Sequence, residues 1–242
     1  MIAGYTSSEG QKVSVVAPGL VPHVIIYDAT FALETPFKLF TSTGIRALDH
    51  AVELLYHPDA SEVPTKALAL SAILTLFTYL PRYEDDPNDQ DVITRLQLAS
   101  FASLSGMGTS LKGGLGLSHS MGYAMGSPYG IPHGITSCIS LPGVVRLKAE
   151  EEENARQLAR ALPMASGKRA EGGNGPDDDD AKADALKVAD RIEDLVKELG
   201  LETRLSEYKV GKDQVDVIAR NATGKKEGEV FEGVKRIVEG KL

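Results

Sequence analysis

The chain has 242 residues, 42% of them hydrophobic, which is enough for one large domain with its own buried core. A formal net charge of −8 argues against a nucleic-acid partner, which calls for a basic stripe, and against an anionic membrane surface. A single cysteine, Cys138, excludes an internal disulfide framework and fits a reducing compartment, so the expected location is cytoplasmic.

Taken in chain order, residues 12–16 and 24–27 read as two short strands joined by a turn region at Pro18, Gly19 and Pro22. With few partners, such strands face an edge problem. From there onward apolar residues recur at helical spacing, predicting helices near 44–56, 64–80, 90–105, 115–126, 135–147, 150–162, 181–199, 212–221 and 229–239. Pro58 and Pro81 read as helix stops, Asp89 or Asp91 as an N-cap, and Gly200 as the glycine after a helix C-terminus. The best apolar run, 67–80, is shorter than the ~18–20 residues that cross a bilayer and carries Ser71, Thr75 and Thr78. The first residues lack the charged-then-apolar pattern of a secretory signal. Residues 164–180, with Gly172, Gly173, Gly175, Pro176 and four aspartates, read as a mobile acidic loop. The expected fold class is mostly α, with residues 1–35 as a short β remnant and 36–242 as a helical domain.

The most informative stretch runs from Gly114 to Gly134, where glycines punctuate an apolar helical segment that ends in Pro132-His133-Gly134. It carries His119 and His133, and the run Gly122, Gly126, Gly130 and Gly134 lets backbones approach closely. Upstream, Ile45, Leu48, Val52 and Leu55 repeat at helical spacing, which puts Arg46, His50 and Glu53 together on another helix face. Neutral imidazole is the commonest transition-metal ligand, so His50, His119 and His133 form a candidate three-point metal site. Packing or capping histidines remain the alternative. His57, beside Pro58, reads as an exposed residue complementing a helix dipole. His23 has no evident partner, and Cys138, in an apolar run, reads as core.

Residues 114–134, the segment 42–56 and the run Pro132-His-Gly-Ile-Thr-Ser-Cys-Ile-Ser-Leu-Pro142 together resemble the iron-containing alcohol dehydrogenase family, in its fungal, maleylacetate-reductase-like branch. Residues 5–36, including Val24-Ile-Ile-Tyr-Asp28, and 183–205 extend the likeness. The resemblance implies the C-terminal helical domain of a dehydroquinate-synthase-like fold and an oxidoreductase that reduces a carbonyl or oxidises an alcohol with NAD(P)H. It places His50, His119 and His133 on three metal-ligand positions, with iron or zinc as the implied metal. Two positions depart from it. The family's fourth ligand, an aspartate, falls on Arg46, and a further active-site histidine falls on Tyr123.

A guanidinium repels a cation, so metal is expected to be weakly held or absent, with Arg46 taking its electrostatic role or docking a substrate carboxylate. A helix-surface pair between Arg46 and Asp49 is the alternative reading. Tyr123 is expected to orient substrate. Nothing here resembles the family's glycine-rich pyrophosphate loop, so the residues that bind the nicotinamide cofactor stay unassigned and the chain is expected to be incomplete alone. Three functions follow: an oxidoreductase of this type acting on a small alcohol or keto acid, a non-redox metal-dependent enzyme, or an inactive helical partner of a full-length relative. Either a homo-oligomer or a partner supplying the cofactor domain is compatible with them.

Overall fold

A computed structural model describes residues 2–6, 12–16, 18–20, 22–104, 111, 114–166 and 180–242. Strands β1 (Ile2–Thr6) and β2 (Lys12–Val16) form an antiparallel ribbon, with Ile2 opposite Val16. Helices follow: α1 (Ala29–Ala32), α2 (Phe37–Leu55), α3 (Ala67–Asp85), α4 (Gln90–Ser103), α5 (Leu117–Tyr129) and α6 (His133–Lys148). The chain closes with α7 (Glu152–Ala159), α8 (Leu162–Ala165), α9 (Ala181–Glu198), α10 (Val215–Thr223) and α11 (Glu229–Glu239). The mostly helical class expected from the sequence is what forms. Most of the acidic stretch expected as a mobile loop lies outside the described residues.

Two apolar clusters build the interior. One gathers Leu48, Leu55, Ile73, Leu76 and Ile93 from α2, α3 and α4 with Leu158, Val188 and Ile192 from α7 and α9. The other joins Met121 and Met125 of α5 to Ile218 of α10 and Val234 and Val238 of α11. Helix α6 serves both, giving Cys138, Leu141 and Val145 to the first and Ile139 and Val144 to the second. Each fully buried aliphatic side chain contributes about 1.5–3 kcal/mol. The seam of the two clusters is therefore held firmly, and α2, α5 and α6 meet there.

Several boundaries differ from the sequence expectation for identifiable reasons. Helix α2 starts seven residues before Gly44, after Pro36, because Gly44 is a packing residue. A Cβ there would lie 2.5 Å from Leu80 Cδ2. Pro81 does not stop α3, which continues to Asp85. The extra turn buries Tyr83 (2% exposed) and stacks its ring on Phe37 and Phe40, with centroids 5.8 and 4.3 Å apart. Residues 24–27 form no strand; β2 pairs instead with β1, while Val24 and Ile26 stay exposed. The single helix expected over 150–162 is two, α7 and α8. Asp89 does cap α4, accepting from the backbone N–H groups of Asp91 and Val92 at 2.9 and 3.1 Å. Gly200 adopts a left-handed φ of +61° after α9.

The span Glu62–Asp85, an irregular turn plus α3, is long and apolar enough to cross a membrane by length and composition, its most apolar 18 residues having a mean hydropathy of 1.5. This corrects the sequence estimate, which ended the run at Pro81. The same helix packs against α2 and α4 through Ala69, Ala72, Ile73, Leu76 and Leu80, as a core helix does.

Helix α6 lies backbone-to-backbone on α2 at Gly134, where a Cβ would come within 2.6 Å of the Ser42 carbonyl. Since backbone cannot swing aside as a side chain can, Gly134→Ala should cost about 1–3 kcal/mol or more, read as a lower denaturation midpoint in urea. An unchanged midpoint would mean that α2 and α6 are not in contact there.

Candidate active site

One face of α2 carries Arg46, Asp49, His50 and Glu53, spaced i, i+3, i+4 and i+7. On most helices such a stripe faces water. Here it faces α5 and α6, and Arg46, Asp49 and Glu53 are all buried. Small residues receive it. Ser118 and His119 open α5, and Thr136, Ser137 and Ser140 line α6, all buried.

The carboxylates are tightly partnered. Asp49 Oδ2 accepts from the hydroxyls of Ser118 (3.0 Å) and Ser137 (2.6 Å), and the Ser118 and Ser140 hydroxyls are bonded at 2.8 Å. Glu53 Oε1 accepts from the Ser118 backbone N–H (2.7 Å) and the Tyr56 hydroxyl (3.2 Å). Its other oxygen lies 2.7 Å from His119 Nδ1. Burial pushes Asp49 up to about 6 and Glu53 up to about 7, and pushes His119 down to about 4. At neutral pH His119 is therefore a neutral imidazole hydrogen-bonded to the Glu53 carboxyl group rather than half of an ion pair.

Sequence-predicted residues fall around this cluster. The ring of His50 stacks on His119, centroids 4.7 Å apart at 30°, and burial holds its pKa well below the usual imidazole value. His119 Nε2 and His50 Nδ1 are buried without a hydrogen-bond partner among the described residues. His133 opens α6 at the surface, within electrostatic reach of His50, and its ring lies 5.8 Å from that of Tyr123. Tyr123 is half-exposed at the rim. Among the described residues, the group of three ligating side chains whose donor atoms lie within 4.8 Å of one another is Asp49, Glu53 and His119. A hydrogen bond already occupies the gap between Glu53 and His119.

Arg46 is no surface residue. Its guanidinium enters between α5 and α6, donates from Nη1 to Ser137 Oγ (3.2 Å), and lies 3.9 Å from Asp49 Oδ2. Gly122 makes the room: a Cβ there would be 3.2 Å from Arg46 Nη1 and 3.0 Å from Thr136 Oγ1. Burial lowers the Arg46 pKa, and the positive charge in turn lowers those of His50 and His119. Any divalent cation bridging these imidazoles would sit in the field of a buried guanidinium at short range. The orphaned imidazole nitrogens suit a metal, but the charge beside them does not. The residues present therefore do not fit a tightly held divalent cation.

His57 corrects the sequence reading. It is buried, accepting at Nδ1 from the Asp59 N–H (3.1 Å) and meeting the Gly114 carbonyl through Nε2 (3.3 Å). Cys138 is a buried free thiol pushed up to about 12 by burial, as expected of a core cysteine. The sequence reading placed Asp49 in a surface pair with Arg46, whereas it is buried in the cluster, and it gave the three serines no role. The i, i+3, i+7 spacing of Arg46, Asp49 and Glu53 was the available signal; the serines, in a stretch of small residues, gave none.

Residues 40–232 match the C-terminal part of the Fe-containing alcohol dehydrogenase family. The dehydrogenase ALT3 of Alternaria alternata is 29% identical over 233 residues, covering 88% of this chain and 58% of that protein. A maleylacetate reductase from Rhizobium sp. strain MTP-10005 is 25% identical, covering 92% of this chain and 56% of its own length. The crystal structure of a maleylacetate reductase from that organism superposes with a TM-score of 0.75 at 22% identity, covering all of this chain and 63% of that one. The chain thus spans a little over half the length of these relatives.

Buried Asp49 gives the site a pH signature. The folded chain holds its proton more tightly than the unfolded chain, so its charge costs nothing below about pH 4 and destabilises increasingly as the pH rises through about 6. Between pH 4 and 7, thermal melts of Asp49→Asn against the parent should therefore shift in the variant's favour by about 3 kcal/mol. A difference independent of pH would place the Asp49 carboxylate in water.

Proposed function

The chain belongs to the Fe-containing alcohol dehydrogenase family, and we propose that it forms the helical, substrate-binding half of a soluble, cytoplasmic NAD(P)-dependent oxidoreductase that acts on a keto acid. The observation that carries this reading is the Arg46 guanidinium, buried beside His50 and His119 with Ser137 Oγ as its one hydrogen-bond acceptor among the described residues. A buried cation with donors to spare attracts an anionic oxygen, and a planar fork of N–H groups matches a carboxylate.

In this reading the substrate carboxylate docks on Arg46, which Asp49 and Ser137 hold in place. Tyr123, at the rim one turn beyond His119, donates its phenolic proton as a hydrogen bond to the substrate. The stacked imidazoles of His50 and His119 form a wall of the site. The nicotinamide dinucleotide supplies or accepts the hydride. Its phosphates would be held by the half of the relatives' length that this chain does not match, carried by a further domain or by a partner polypeptide.

Calorimetric titration with 2-oxoglutarate, a stable keto-dicarboxylate, tests this directly. The parent should bind it, Arg46→Met should weaken binding at least tenfold, and the uncharged butanone should bind neither protein. Equal binding by parent and variant would remove Arg46 from the site. The local charge also makes a prediction about metals. Arg46→Asp replaces a repelling cation with a ligating carboxylate and should bind cobalt(II) more tightly than the parent, seen as visible absorption bands. Equal or weaker binding by the variant would show that Arg46 points away from the imidazoles.

A further inference from the structure

Around His119 the geometry points to an assignment that deepens the reading above and rests on it for the identity of the site. We propose that Glu53 is a positioning residue that locks His119 in the tautomer protonated on Nδ1, so that the bare Nε2 is the acceptor offered to the hydroxyl of the hydroxy acid into which the keto acid is reduced.

The carboxylate itself is immobilised. Its Oε1 is fixed by the backbone N–H of Ser118, in the first turn of α5, and by the Tyr56 hydroxyl. The N-terminal end of α5 favours a negative charge at that point. Gly116 leaves the space, since a Cβ there would lie 2.6 Å from Oε1. The second oxygen, Oε2, is thereby aimed at His119 Nδ1 at 2.7 Å. A further carboxylate oxygen, Asp49 Oδ1, lies 3.6 Å from the same nitrogen.

At pH 8, above the range in which Glu53 and Asp49 take up protons, two carboxylates on one edge of a neutral imidazole require the N–H on that edge. Stacking on His50 fixes the ring plane. Nε2 is then a lone-pair acceptor, buried and without a partner among the described residues. A buried acceptor in that state costs free energy until a donor arrives. A hydroxyl bound near Arg46 is such a donor. With tyrosine at 123, His119 is the buried imidazole left on α5 for this contact.

Glu53→Gln makes the assignment decidable. An amide has one acceptor oxygen, and the Ser118 N–H at 2.7 Å requires it. The amide NH2 therefore turns to Nδ1, which must then accept, and the proton moves to Nε2. Long-range proton–nitrogen correlation spectra of 15N-histidine-labelled chain at pH 8 report which nitrogen is protonated, with His119 identified by the signal lost in His119→Gln. The parent should show Nδ1–H, Glu53→Gln should show Nε2–H, and Tyr56→Phe should keep the parent pattern. An Nε2–H or mixed tautomer at His119 in the parent overturns the proposal whether or not Glu53→Gln folds. So does an unchanged tautomer in folded Glu53→Gln. A correct tautomer together with no 2-oxoglutarate binding would instead overturn the keto-acid reading and leave the Glu53 assignment standing.

Discussion

Helix α2 must bury an arginine and two carboxylates in the middle of a helical core, and much of the surrounding architecture answers that requirement. Charged groups taken out of water are costly unless each is hydrogen-bonded and offset by an opposite charge. Hydroxyls from Ser118 and Ser137 and a backbone N–H at the start of α5 supply the bonds. Glycines at 116 and 122 supply the space. Because those groups come from two different helices, the polar stripe also fixes how α5 and α6 sit on α2.

The same compensation shapes the chemistry. Arg46 contributes a positive charge beside two imidazoles, and Asp49, one turn along, supplies the opposing negative charge. Removing one member leaves the other uncompensated, so substitutions within the pair are strongly coupled. A fixed cation in a buried site favours anionic oxygen in whatever docks beside it. A site holding a divalent metal selects for oxygen that can ligate.

Much of the helical framework was legible in the sequence, because long amphipathic helices such as α9 and α11 announce themselves by apolar period. Glycine and proline misled where their tertiary role outweighed their local one. Gly44 lies inside α2 to accommodate Leu80, and Pro81 lies inside α3 because Tyr83 beyond it has aromatic rings to stack on. For the candidate site, residue spacing brought together His50, His119 and His133 and put Arg46 on the face of His50, and the resemblance added Tyr123 and the roles of the others. What it did not supply was the hydrogen-bonded cluster behind them. Asp49 looked like half of a surface pair with Arg46, and only the packing of α2 against α6 shows both to be interior.

Gly122 has a consequence beyond local fit. Its missing methyl is the vacancy into which the Arg46 guanidinium extends, and a Cβ there would press on both Arg46 and Thr136. The two positions are therefore epistatic, although they lie 76 positions apart in sequence (122 − 46). Arginine at 46 is accommodated in a background with glycine at 122 and crowded in one with alanine. A mutational library that varies position 46 alone samples a single background, and its ranking of residues there does not transfer to relatives with a side chain at 122.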